Sequence, residues 1–155
     1  MYMETRYPNS KNKNSEEEGN QFQDFVVDLL FDMGIVIQNY TSRKYQYEKG
    51  ENKQGIEIKL DNWCSKSKRL SIEIAERTCI ENSFVESGIY RKDNSFLYIQ
   101  GNFDIVFIFQ KSLLQLLHKS GRYEEKEEET IKAFYLPFTD AEKYAAKVVK
   151  INKNR

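Results

Sequence analysis

Two short alternating segments constrain this chain more than any other feature. Gly55-Ile56-Glu57-Ile58-Lys59-Leu60-Asp61 and Leu70-Ser71-Ile72-Glu73-Ile74-Ala75-Glu76 each interleave aliphatic and polar residues. That is the pattern of a strand with one buried and one polar face. Glu57, Lys59 and Asp61 then share a face of the first strand, and Glu73 and Ala75 a face of the second. Residues 62–69 between them are polar and rich in Lys and Ser. An antiparallel hairpin is the simplest expectation, with Glu57 and Glu73 on neighbouring strands about 5 Å apart. Two carboxylates at that spacing repel unless they share a cation or a proton. With a lysine beside them they can hold Mg²⁺ and activate water. The same face also suits solvated cross-strand charge pairs, and spacing alone leaves both readings open. Asp61 points to the same face as an accessory ligand. Glu76 lies on the opposite face unless a bulge intervenes.

The rest of the chain is punctuated by caps and turns. Residues 1–14 are polar and read as a flexible tail, leaving 15–155 as a single domain. Ser15 and Glu18 form a capping box for a helix whose stripe is Phe22, Phe25, Val26, Leu29, Leu30 and Met33, stopped by Gly34. Segments 35–40 and 44–47 read as strand, and 78–93 as irregular. Segments 96–99 and 105–109 read as a strand pair around Gly101-Asn102. Lys111–Lys119 is a Leu-rich helix closed by Gly121, and 124–129 an acidic loop or helix start. Phe134–Pro137 reads as an edge strand because of its proline. Thr139 and Glu142 predict a capped helix from Asp140 to about Lys150. The order predicts an α+β fold, a central mixed sheet flanked by helices.

Charge limits the partners. Lys plus Arg and Asp plus Glu number 24 each, so no whole-protein positive field draws nucleic acid. Contact with DNA would need local basic groups: Arg43-Lys44, then Lys66, Lys68 and Arg69, then Arg91 and Lys92. Cys64 and Cys79 lack the spacing of a zinc site or a disulfide framework. The sequence has no apolar leader or spanning run, so a cytoplasmic protein without a membrane partner is expected. The one histidine, His118, falls near a helix C-terminus, where a cation is favoured. A Ser-His-Asp arrangement and a Gly-rich phosphate loop are both absent from the sequence.

Several pieces in order resemble the PD-(D/E)XK nuclease superfamily, and within it small nuclease-like proteins of bacteria and phages. They are Gly19 and Phe22 at a helix start, the GIEIKLD strand, the Ile72-Glu73 of SIEIAE, and Ser87-Gly88-Ile89 followed by the aromatic strand Phe96–Ile99. The stretch runs from about Glu16 to about Leu117. The resemblance implies a restriction-endonuclease-like fold and an Mg-dependent endodeoxyribonuclease, a hydrolase of DNA, with RNA left open. It implies Glu57, Lys59 and Glu73 as catalytic residues, Glu57 and Glu73 as ligands of Mg²⁺ or Mn²⁺, and Asp61, Glu18 and Glu76 as accessory acids. Lys66, Lys68, Arg69, Arg91 and Lys92 would touch the nucleic acid. The chain departs from the pattern in places. Ala75 stands where the second strand usually carries lysine, and the lysine is at 59. Gln23 stands where the family helix often has Glu. A second alignment takes Glu57-Ile58-Lys59 as the Glu-x-Lys, with Glu48 or Glu51 as the upstream acid. The alternative function is a catalytically inactive protein of the same fold, acting as an inhibitor by protein contact. A homodimer and a protein partner both stay open.

Overall fold

The computed structural model describes residues 11–152, with side chains from 15 onward. Helix α1 spans Lys11–Asp32, α2 Arg43–Lys49 and strand β1 Ile56–Leu60. One-turn α3 (Cys64–Ser67) leads into β2 (Arg69–Glu76), short β3 (Val85–Glu86) and a 3₁₀ turn at Gly88–Tyr90. Then follow β4 (Leu97–Gly101), β5 (Ile105–Gln110), α4 (Lys111–Lys119), β6 (Glu125–Glu127), β7 (Ile131–Pro137), α5 (Phe138–Tyr144) and β8 (Lys147–Lys150). The fold is α+β, as the sequence predicts. No helix among the described residues is long and apolar enough to cross a membrane.

The strands form two four-stranded sheets, ordered β1-β4-β5-β8 and β3-β2-β7-β6. The first is mixed: β1 runs parallel to β4, and β5 is antiparallel to β4 and β8. Alternation sends Ile56, Ile58, Ile99, Val106 and Ile108 to one face, where Phe22, Val26 and Leu30 of α1 cover them. The opposite face presents Tyr98, Phe107 and Phe109. These pack against Leu70, Ile72, Phe134 and Leu136 of the second sheet, with Leu114 of α4 and Ala141 of α5. The mixed sheet is therefore central, with a helix on one face and chiefly a second sheet on the other.

The expected β1–β2 hairpin does not form. β1 finds its ladder partner in β4, some forty residues on, and β2 pairs with β7. The cause lies in residues 62–69. They are not a simple loop: α3 forms there, Cys64 buries, and Lys68 takes a left-handed conformation (φ 57°) that redirects the chain into the other sheet.

Other expectations shift as well. The proposed 1–14 tail falls largely on residues 1–10, outside the described residues, while 11–14 open α1. Ser15 is thus inside that helix rather than its cap. Segment 44–47 is helical, capped by Ser42 accepting from the Tyr45 amide, and 35–40 contributes only an Asn39–Asn52 bridge. The acidic run becomes edge strand β6, which makes β7 internal to its sheet; Pro137 is tolerated as its last residue. The predicted C-terminal helix stops at Tyr144. Val148 and Val149 then extend as β8 against β5, where β-branched side chains suit a strand better than a helix.

Candidate active site

The carboxylates predicted to meet across a hairpin stand on strands of different sheets, and the charges of both reach Lys59. β1 is an edge strand of the first sheet. The first half of β2 has a strand partner, β7, on one side only. Two side chains join these free edges. Asp61 Oδ2 accepts from the Ser71 amide (2.9 Å) and from Gln100 Nε2 (3.0 Å). Gln100 Nε2 also donates to the Ser71 carbonyl (2.7 Å). Asp61 is thereby committed to holding the sheets together. The cleft beside this junction, about 340 Å³, is lined by Lys59, Glu73, Tyr98, Trp63, Ala133 and others.

Glu57 and Lys59 share the face of β1 that turns toward the second sheet, as the alternation predicts. Glu57 is only 2% exposed. Its Oε1 lies 3.2 Å from Lys59 Nζ. Its Oε2 is buried with no hydrogen-bond partner. Tyr98 pairs with Glu57 in the ladder, and its hydroxyl is likewise buried without a partner. Burial pushes the Tyr98 phenol well above its ordinary range, and the charges of Glu57, Glu73 and Glu51 push it further. It stays protonated and can only donate its proton in a hydrogen bond or accept through oxygen. Burial alone would lower the Lys59 pKa. The charges of Glu57, Glu73 and Glu51 outweigh that and raise it, so the ammonium is firmly charged.

Glu73 is positioned by the Ser87-Gly88-Ile89 segment. Buried Ser87 donates from Oγ to Glu73 Oε1 at 2.6 Å. A Cβ on Gly88 would sit 2.1 Å from the Glu73 carbonyl oxygen, and the residue has φ +55°, so only glycine allows this approach. A bulge follows: Glu73 pairs with Ala133, but Ala75 with Lys132 and Glu76 with Ile131. It returns Glu76 to the face of Glu73 and turns Ala75 away, correcting the face assigned to Ala75. Glu76 then meets Arg91 at 3.4 Å. Arg91 also feels Glu57, Glu73 and Asp93, which keep its guanidinium charged despite burial.

Sequence reasoning ranked Glu51 as an alternative and overlooked Tyr98, Gln100 and Ser87. Glu51 Oε2 accepts from Gln23 Nε2 (3.0 Å) and from the Ile58 amide (3.4 Å). Burial raises its pKa first, and the neighbouring Glu57 second. Glu48 is exposed and pairs with Lys44 instead. Glu18 accepts from Asn62 on the α1 side of β1. The period-two pattern of Leu97-Tyr98-Ile99-Gln100 was the signal that Tyr98 and Gln100 share a face.

The predicted nucleic-acid contacts divide. Lys66 Nζ lies over Trp63, Lys68 over Phe138, and the Arg69 guanidinium 3.6 Å from the Tyr135 ring centroid. Arg91 belongs to the acid cluster, and Lys92 is exposed. His118, at the end of α4, bridges Tyr90 and Glu125 at 2.5 Å each. Both cysteines are free, and burial pushes the Cys64 thiol up to about 12.

Among the described residues, no group of three or more His, Cys, Asp or Glu side chains is disposed to hold a metal ion. Mg²⁺ does not require three, because it commonly takes one or two carboxylates and completes its shell with water and phosphate. The unpartnered Oε2 of Glu57 fits that chemistry. No family model, curated protein or solved structure matches the chain.

Proposed function

We propose that this chain is a divalent-metal-dependent nuclease that hydrolyses DNA phosphodiester bonds. The observation that carries the reading is the pairing of buried Glu57 with half-buried Lys59, one carboxylate oxygen being left unpartnered. A buried oxygen left without a hydrogen-bond partner is costly to stability. Its retention behind Lys59, which lines an open cleft, suits a site that acquires a ligand. The resemblance to PD-(D/E)XK nucleases and a cytoplasmic setting belong to the same reading.

Glu57 and Glu73 would hold Mg²⁺ or Mn²⁺ through their oxygens. The ion, when bound, acidifies a water and neutralises charge on the scissile phosphate. The chain's own groups supply the rest. Lys59, kept charged by its acid neighbours, stabilises negative charge building on the phosphoryl oxygens. Ser87 fixes the direction of the Glu73 carboxylate. Tyr98 offers a proton in a hydrogen bond without giving it up. Glu51 lies outside this cleft, in the pocket between α1 and β1 that Lys59 also borders.

The test is cleavage of plasmid and single-stranded DNA with Mg²⁺ or Mn²⁺. Wild type should cut, and Glu57→Gln and Glu73→Gln should not. No cutting with any divalent metal would overturn the reading. It would leave an inactive protein of this fold that works by protein contact, a second reading favoured by Ala75 standing where the family pattern has lysine.

A further inference from the structure

We infer that the cleft takes single-stranded nucleic acid, with one base stacked on the indole of Trp63. This rests on the nuclease reading above and adds the form of the substrate. Trp63 is the chain's single tryptophan and is 69% exposed. It lines the same cleft as Lys59, Glu73 and Tyr98. Local structure sets its place. β1 ends at Leu60 and α3 begins at Cys64, whose buried side chain anchors the turn and leaves the preceding indole outside. Lys66 Nζ is 5.2 Å from the ring centroid, which puts an ammonium beside the stacking surface. Aromatic faces for bases with cations for the backbone are the composition of a single-strand site. Arg69 on Tyr135 continues that composition along β2 and β7.

Charge and depth favour a single strand over a duplex. A duplex keeps its bases stacked inside and is held through phosphates by many cations. This chain has 24 basic and 24 acidic residues, and its cleft is rich in carboxylates. Stacking needs no net positive field. Glu57 is buried behind Lys59, which lines the cleft, so on the nuclease reading the scissile phosphate must dip into the cleft. A single strand can bend there with its base splayed onto the rim.

The experiment uses the one tryptophan as its own probe. Full-length protein without divalent metal is titrated with a short oligothymidylate, and separately with a duplex of similar length, while Trp63 emission is followed. Affinity is measured in parallel by anisotropy of labelled oligomer. The single strand should quench Trp63 and the duplex should not. Trp63→Phe should keep most of the affinity, and Trp63→Ala should lose on the order of tenfold or more. Equal binding of both forms, or unchanged affinity in Trp63→Ala, would overturn the inference. So would quenching by neither form, which would leave the rim to a protein partner. Metal-dependent cutting separates the two readings. Duplex cutting that Trp63→Ala leaves intact overturns the single-strand inference alone. Single-strand quenching without any cutting supports the stacking site and overturns catalysis.

Discussion

Two places in this molecule bury charge, and they do it in opposite ways. Lys111 opens α4, and its side chain is 6% exposed. Its Nζ donates to Asp93 Oδ1 (3.1 Å), Ser95 Oγ (2.7 Å) and the Arg91 carbonyl (2.7 Å). Ser95 donates to Asp93 in turn, from both its hydroxyl and its amide. Every donor of the ammonium is used, and the cluster ties the loop before β4 to the start of α4. In the cleft, Glu57 and Tyr98 each keep a buried polar atom without a partner, and Lys59 answers three carboxylates. The first arrangement is complete without a ligand. The second is not. The closed network holds structure, while the open one is where the proposed ligand would bind.

The largest expected effect falls on the closed cluster. Lys111→Met should lower stability by about 3–5 kcal/mol, because it leaves the Asp93 carboxylate buried and uncompensated. Chemical denaturation of the variant checks this, and a loss below about 1 kcal/mol would make the cluster no more than a surface pair.

The cleft should respond in function instead. On the proposed nuclease reading, Lys59→Ala should cut turnover on the order of a hundredfold while leaving DNA affinity nearly unchanged, since its charge would act on the transition state. Single-turnover kinetics separate the two, and a pure rise in KM would reassign Lys59 to binding.

Tyr98→Phe sharpens the comparison further. Removing a buried hydroxyl that has no partner should raise metal-free stability by up to about 1–3 kcal/mol. A loss of stability would show that the hydroxyl is satisfied in solution.

pH should divide the two regions at opposite ends of the scale. Burial would raise the Asp93 pKa, but hydrogen bonds from Ser95 and the Lys111 charge pull it below its ordinary 3.8. Its stabilisation is therefore present above 3.8 and lost as pH falls through the lower folded value. Tyr98 and Lys59 titrate above their ordinary 10.0 and 10.5. Their contributions are full below those values and are lost as pH rises toward the folded ones. Asp93→Asn should flatten the acid limb of a stability curve, and Tyr98→Phe the alkaline limb. Changes on the wrong limb would break the comparison.

Much of this was legible in the sequence, and the failures have physical causes. The strands at 56–60 and 69–76 follow from period-two alternation, those at 97–101 and 105–110 from short apolar runs beside turn residues, and α1 and α4 from their apolar stripes. The β4–β5 turn was legible because two short apolar runs flank Gly101-Asn102 with few residues between them. The pairing of β1 was not, because its partner lies far along the chain and no local pattern specifies a parallel neighbour. Asp61 and Gln100, rather than a hairpin turn, join the edges of the two sheets, and the charges of Glu57 and Glu73 both reach Lys59. Ala75 and Glu76 were misfaced or left conditional because a bulge adds one residue that alternation cannot see. Segment 44–47 looked like a strand through its tyrosines, but Ser42 supplied a helix cap.

The central claim is that the open network in the cleft is a metal site and the closed one is not. Mn²⁺ titration followed by electron paramagnetic resonance tests it most directly. Wild type should bind Mn²⁺ and reduce the free-ion signal. Glu57→Gln should abolish that binding, and Asp93→Asn should leave it intact. A wild-type chain that binds no Mn²⁺, or binding that survives Glu57→Gln, would contradict the account.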